Sequence, residues 1–242
     1  MNLLIAKKLP LKNKNLVNAL LIPCSSFIKW LKDTLPENTV IEYDMFSFGL
    51  IIPQKRNFII VGPAIGSPAI ILILERLIIS GIKNIIVFGT CGSICKETKI
   101  GDIILPTSAI SEEGTSKLYC GGEVTFSLHY HPSSFLTETV EKKFVDNNIK
   151  YKKGAIWTTD APYMETVEKV KNFQNKGAIG VDMELSALFA VGALKKVNVA
   201  SILIVSDELH SNTWKTGFKS GLLKNTFRKV FNILDSIFNQ LK

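Results

Sequence analysis

Ser67-Pro-Ala-Ile-Ile-Leu-Ile-Leu-Glu-Arg-Leu-Ile-Ile-Ser-Gly-Ile-Lys-Asn-Ile-Ile-Val-Phe88 is the stretch whose reading decides the fold. Pro68 stands where a helix tolerates proline, at its start, where a missing N–H leaves no carbonyl unmatched. The apolar helix runs to Ser80, and Gly81 is the residue type favoured just past a helix end. Asn84–Phe88 follows at once as a short apolar run of the kind that forms a strand buried on both faces. Upstream, Asn57–Val61 reads as another strand, closed by Gly62-Pro-Ala-Ile-Gly66. Strand, loop, helix and strand in that order make a βαβ crossover, which leaves two loops at the carboxyl ends of parallel strands. Ligands bind at such ends in α/β sheets.

The same alternation extends in both directions. Asn18–Ile22 reads as a first strand and Ser26–Leu35 as a short helix. A hairpin follows, with arms Met45–Ile52 and Asn57–Val61 around Pro53-Gln-Lys-Arg56. Downstream, Asp102–Glu112, Ala155–Thr159 and Val199–Val205 are strands. Thr166–Asn175 and Met183–Lys195 are helices, the second with Leu185, Leu188 and Phe189 at helical spacing. Over residues 220–241, Leu223, Phe227, Phe231, Leu234, Phe238 and Leu241 recur every three or four positions, the pattern of an amphipathic helix packed on a sheet. Together these predict an α/β fold, a single-domain three-layer sandwich with a mixed central sheet flanked by helices. Its core spans about 18–210 of the 242 residues.

Composition excludes several function classes. No stretch approaches the roughly 18 consecutive apolar residues of a membrane span; the run Ala69–Leu74 ends at Glu75 and Arg76. At the N-terminus the lysines follow the short apolar run instead of preceding it, which is the wrong order for a secretory signal, so a cytoplasmic protein is expected. The net charge is +8, but the lysines are scattered, aromatics are not interleaved with them, and only Arg56, Arg76 and Arg228 are arginine. That distribution argues against nucleic acid as a partner. Cys24, Cys91, Cys95 and Cys120 read as free thiols. His129 and His131 would share one face of a strand, but no third ligand stands at a usual spacing, so no metal is expected.

Three signals carry chemistry, and each falls near a strand end. In Gly89-Thr-Cys-Gly-Ser93 the glycines let backbone N–H groups approach an anion, and Thr90 adds a hydroxyl. In Val181-Asp-Met-Glu-Leu-Ser186 two carboxylates flank a methionine at a helix start. Asp182 there also reads as a helix cap. Glu184 precedes small and apolar residues, close to the core, where an ionised carboxylate needs partners such as sugar hydroxyls. In Val205-Ser-Asp207 a carboxylic acid ends an apolar strand. Desolvation there raises its pKa and suits it to proton donation, although an Asp capping the next turn would look the same.

In this order and spacing the three signals resemble the nucleoside phosphorylase superfamily, which contains hexameric purine nucleoside phosphorylases, uridine phosphorylases and adenosylhomocysteine nucleosidases. Gly62-Pro-Ala-Ile-Gly66-Ser-Pro68 looks like the family's glycine-rich turn, Thr159-Asp-Ala-Pro-Tyr163 like the segment whose aromatic stacks on the base, and Glu113-Gly-Thr-Ser116 like a segment of uridine phosphorylases. The resemblance implies a pentosyltransferase that cleaves the N-glycosidic bond of a nucleoside, purine favoured. It needs no cofactor beyond phosphate as co-substrate, and it acts as a homo-oligomer. By the same resemblance Asp207 and Glu184 are catalytic. Met183, Asp182, Tyr163, Ser206 and Gly92 bind substrate, and Thr90, Gly89 and Gly66 bind phosphate.

The chain departs from the family at the phosphate site. Family phosphorylases usually carry an arginine two residues before the glycine of the phosphate loop, where this chain has Val87, and another in the first strand–helix loop, where Pro23–Ile28 has none. Three readings therefore stand: phosphorolysis with a rebuilt anion site, hydrolysis with water in place of phosphate, and nucleoside binding without catalysis.

Overall fold

The computed structural model describes all residues except 1–4, 12, 14, 36–37, 44–47, 122–128, 211–212 and 242, and only the backbone at 38–39 and 42–43. The βαβ crossover forms as read: β4 (Phe58–Gly62), α2 (Ser67–Ile79) and β5 (Asn84–Ser93). Around it lie β1 (Asn18–Leu21), α1 (Ser25–Thr34), β2 (Asn38–Tyr43) and β3 (Phe48–Pro53). Then come β6 (Ile103–Ser111), α3 (Thr115–Tyr119), β7 (His129–Tyr130), α4 (Ser134–Asp146) and β8 (Lys152–Thr158). A 3-10 turn (Pro162–Met164), α5 (Val167–Asn175), β9 (Ala178–Asp182) and α6 (Leu185–Leu194) lead to β10 (Asn198–Glu208), β11 (Lys215–Thr216) and α7 (Gly221–Phe238). The expected start of the hairpin at Met45 lies outside the described residues.

The sheet is mixed, with order β11-β10-β6-β8-β9-β5-β1-β4-β3-β2 and a further pairing of β10 with β5. Because β5 pairs with β1 and β10 in parallel and, beyond Gly92, with β9 antiparallel, strands β5, β10, β6, β8 and β9 close into a ring. Helices flank the sheet on both sides, as expected. The period of two sends alternate residues to opposite faces. Ile85 and Val87 of β5 pack with α2 and α6, whereas Ile86 and Phe88 pack with α1, α4 and α7. Phe227 of α7 stacks on Phe88 at 4.6 Å and on Phe27 of α1 at 3.9 Å, which locks the amphipathic helix over the strands. Burying one such ring contributes about 1.5–3 kcal/mol.

Three boundaries differ from the sequence reading in ways that shape the site. The strand expected to end at Phe88 continues through Gly89-Thr-Cys-Gly-Ser93, and the strand expected to end at Val205 continues to Glu208. The two stay paired from Asn84↔Asn198 to Ser93↔Glu208. Small and glycine residues have low strand propensity alone, but hydrogen-bonding partners on both sides override it. Similarly, Asp182 closes the short strand β9, and the helix expected from Met183 begins at Leu185.

Candidate active site

A cavity of about 590 Å³ opens where β5, β9 and β10 meet at their ends. Thr90, Cys91 and Gly92 come from β5, Val181 and Asp182 from β9, Ser206 and Asp207 from β10. Met183 and Glu184 come from the junction with α6, and Tyr163 and Glu165 from the 3-10 turn and just after it. Pro23, Cys24 and Ser25 at the start of α1 and Ile65 before α2 complete one side. Leu209, Trp214 and Phe218 after β10 complete the other.

Backbone irregularities aim these groups. The β5–β10 register shifts between Val205 and Asp207, so Ser206 is an extra residue that re-aims the strand, as bulges beside functional sites do. The Ser206 hydroxyl lies 2.6 Å from Asp207 Oδ1 and 3.1 Å from the Cys91 carbonyl. The Trp214 indole N–H donates to Asp207 Oδ2 at 2.8 Å. Asp207 is 9% exposed. Gly92 permits this approach: a Cβ there would lie 3.1 Å from Asp207 Oδ2 and 2.6 Å from Leu209.

The Asp182-Met-Glu184 segment is tied to α2. Gly66, at φ +87, precedes the helix in a backbone conformation that favours glycine, and its N–H donates to Glu184 Oε1 at 2.7 Å. The Ser67 hydroxyl donates to the Met183 carbonyl at 2.8 Å. Glu184 thus sits at the positive end of α2, which favours a carboxylate. Asp182 accepts from the Thr158 hydroxyl at 2.6 Å and from the Leu185 N–H at 2.9 Å, so the capping reading of Asp182 holds alongside its place in the cavity wall. Burial pushes the Asp182 carboxyl up to about 6, against the lowering effect of those hydrogen bonds. Burial and then repulsion from Asp182 push Glu184 up to about 8. Burial, reinforced by Asp182 and Asp207, likewise holds the Cys91 thiol well above its ordinary value, so it is no thiolate nucleophile.

Of the residues expected to bind substrate or catalyse, the structure brings Asp207, Glu184, Met183, Asp182, Tyr163, Ser206 and Gly92 into one cavity wall. Tyr163 is 100% exposed at its mouth. Of the three residues expected at phosphate, Thr90 lines the cavity, but Gly89 and Gly66 do not. Gly89 packs toward Pro23 and Leu203, and the Gly66 amide is engaged by Glu184. Sequence reasoning missed Glu165, Trp214 and Phe218. The available signal for Glu165 was its position two residues past Tyr163; for Trp214 and Phe218 it was aromatic residues in a polar segment after the last strand. Glu113, first residue of the segment likened to uridine phosphorylases, does not line the cavity; it accepts from the Ser186 hydroxyl at 2.9 Å. Among the described residues no group of three or more His, Cys, Asp and Glu side chains is placed to hold a metal.

A family model described as the phosphorylase superfamily matches residues 23–234. The chain belongs to that superfamily. A DeoD-type purine nucleoside phosphorylase of Clostridium novyi is 33% identical over 178 residues, 71% of this chain and 72% of that protein. Among solved structures, the fold is shared with a purine nucleoside phosphorylase from Toxoplasma gondii in complex with immucillin-H. That likeness has a TM-score of 0.82 at 16% identity and covers 100% of this chain and 98% of the other. An AMP nucleosidase from Bacteroides thetaiotaomicron also shares the fold, with a TM-score of 0.71 at 21% identity over 92% of this chain and 89% of that one. The fold is thus shared with structures named as a phosphorylase and as a nucleosidase. At the position of the expected arginine, Val87 is buried against α2 and α6.

Proposed function

We propose that this phosphorylase-superfamily chain cleaves the N-glycosidic bond of purine nucleosides by phosphorolysis, releasing the free base and ribose 1-phosphate. The observation that carries the reading is the convergence of Glu184, Met183, Tyr163, Asp207 and Thr90 on one cavity. Bond cleavage develops positive charge on the ribosyl ring and negative charge on the leaving base, so an acceptor is needed at the sugar and a proton at the base. Glu184, held by the Gly66 and Met183 amides, keeps lone pairs for the ribose hydroxyls. Met183 packs on the sugar and Tyr163 on the base face. Asp207, positioned by Ser206 and Trp214, delivers the proton to purine N7, while Thr90, with Gly92 beside it, faces phosphate.

Hydrolysis is a second reading, and one observation favours it. Four carboxylates line the cavity (Glu165, Asp182, Glu184 and Asp207), and among the described residues no lysine or arginine does. That lining offers an anionic nucleophile no cation to pair with, a lack that does not affect water. The deciding experiment is a nucleoside panel with and without phosphate. Phosphorolysis gives ribose 1-phosphate and requires phosphate, whereas free ribose at an equal rate without phosphate makes the chain a nucleosidase. Ligand binding with no base released would make it a binding protein.

Assembly into a homo-oligomer belongs to the same reading, supported by the exposed apolar residues Ile65, Met164, Trp214 and Phe218 around the cavity mouth. A cytoplasmic location is supported by the four free cysteines. No helix among the described residues is long and apolar enough to cross a membrane.

A further inference from the structure

Glu165 is a carboxylate of the cavity that neither the mechanism above nor, among the described residues, a hydrogen bond within the protein gives a task. It follows the 3-10 turn that carries Tyr163, is partly buried, and lines the same cavity as Asp207. Among the described residues no donor pairs with its carboxyl. Lys169, four positions on, is engaged by Glu112 Oε1 at 2.7 Å, and the other Glu112 oxygen accepts from the Trp157 indole at 3.0 Å. The other cavity carboxylates all have protein partners: Glu184 has two backbone amides, Asp182 a hydroxyl and two amides, Asp207 a hydroxyl and an indole. Burial, then Asp207 and Glu112, push the Glu165 carboxyl up to about 7. An unpartnered carboxyl in a largely apolar wall is costly, and a ligand that supplies a donor N–H removes that cost.

We propose that Glu165 is a specificity-determining residue of the base site, accepting a hydrogen bond from a ring N–H on the edge of the purine beyond N7 and position 6. The proposal rests on reading this cavity as a purine nucleoside site. With Asp207 at N7 and Tyr163 on the face of the ring, the next group along that edge is N1. A 6-oxopurine carries a hydrogen on N1, and a 2-amino group adds a second donor beside it. Above about pH 7, where Glu165 is ionised, a 6-aminopurine presents it only a bare N1 lone pair, which the carboxylate repels. The chain therefore prefers 6-oxopurines, because a site built to accept a hydrogen bond discriminates strongly against a partner that lacks the donor.

The test is calorimetric binding, at about pH 8 where Glu165 is ionised, of hypoxanthine and adenine to the full-length protein, to Glu165→Gln and to Glu165→Ala, alongside turnover of inosine and adenosine. The expected result is that the unsubstituted protein binds hypoxanthine at least about tenfold more tightly than adenine. Glu165→Ala brings that ratio close to one by weakening hypoxanthine, and Glu165→Gln, which keeps an acceptor without the charge, falls between. KM for inosine rises more than kcat falls, since the contact serves binding and not the proton step. An unchanged hypoxanthine-to-adenine ratio in Glu165→Ala, or an unsubstituted protein that prefers adenine, overturns the proposal. Failure of the activity reading looks different: no base is released from any nucleoside, yet hypoxanthine binding still depends on Glu165, an outcome that supports the base contact. Absence of any base binding overturns it.

Discussion

The two ends of strands β5 and β10 both carry polar side chains but use them in opposite ways. At the amino ends, Asn84 and Asn198 lie side by side with Asn18 of β1, and their side chains form a ladder. Asn198 donates to Asn84 at 2.9 Å, Asn84 donates to Asn18 at 2.9 Å, and Asn18 donates to the Leu241 carbonyl at 3.1 Å. At the carboxyl ends, Thr90, Ser206 and Asp207 also bring polar side chains to a strand end, but they face a cavity. The ladder closes on itself: it aligns three parallel strands and pins the C-terminus to them. The cavity end keeps hydrogen-bonding capacity that the protein does not use up. Polar residues at strand ends therefore do not by themselves mark a site; unfilled capacity facing a space does.

The largest expected effect tests the cavity end. Asp207→Asn keeps the shape but carries no transferable proton, so kcat for purine nucleosides falls by about 10²–10⁴ while the thermal midpoint changes little. Steady-state kinetics with unfolding curves check it, and an unchanged kcat removes Asp207 from the proton step. Glu184→Gln comes next. Assayed above about pH 8, where Glu184 is ionised, loss of the charge-assisted bond to the ribose weakens transition-state binding by about 1.5–3 kcal/mol, seen in both KM and kcat. Normal kinetics in this variant leave Glu184 as a partner of Gly66 only.

The amino end should respond in the opposite currency of stability without function. Asn84→Ala leaves Asn18 and Asn198 without one partner each, costing about 1–3 kcal/mol in denaturant unfolding, with kcat/KM within about twofold of the unsubstituted protein. A loss of activity as large as that of Glu184→Gln would dissolve the distinction between the two ends. Thr90→Ala should be the smallest of the side-chain effects, about 0.5–1.5 kcal/mol in apparent phosphate affinity and none in a phosphate-independent reaction.

The last prediction uses pH. The carboxyls of Asp182, Glu165 and Glu184 titrate above their ordinary values in the fold, at about 6, 7 and 8. The folded state therefore holds protons that the unfolded chain has already released. Stability is highest below the ordinary carboxylate range and declines as pH rises through those values. The thermal midpoint of the ligand-free protein should fall between about pH 5 and 8, and Glu184→Gln should flatten the upper part of that decline. An identical slope in the variant would show that Glu184 is ionised throughout.

Much of this was legible in the sequence. The crossover from Phe58 to Phe88 declared itself through continuous apolar runs punctuated by Pro68 and Gly81, and the amphipathic helix ending at Phe238 through apolar residues three to four positions apart. The segments Gly89–Ser93, Asp182–Glu184 and Ser206-Asp207 stood out by residue type. What stayed hidden were features made by distant partners. Strand β5 runs on through glycines because β10 and β9 pair with it, and the short β9 itself lacks a long pattern. Gly66, read as a phosphate ligand from its place in a glycine-rich turn, instead serves Glu184.

The sequence by itself determined which faces of strands and helices are apolar, because side-chain direction repeats locally along the backbone. It also determined the residue types available for chemistry. Only the tertiary structure decided which of those groups are already engaged and which face open space. Gly66 and Glu184 meet across 118 positions of chain, so whether an amide is free for phosphate cannot be read from its neighbours. The carboxyl of Glu165, without a partner among the described residues, is likewise defined by what does not reach it, since Lys169 turns to Glu112 and Trp214 to Asp207. Hydrogen-bonding capacity is a property of each residue, but its use depends on contacts that form only when the chain closes on itself.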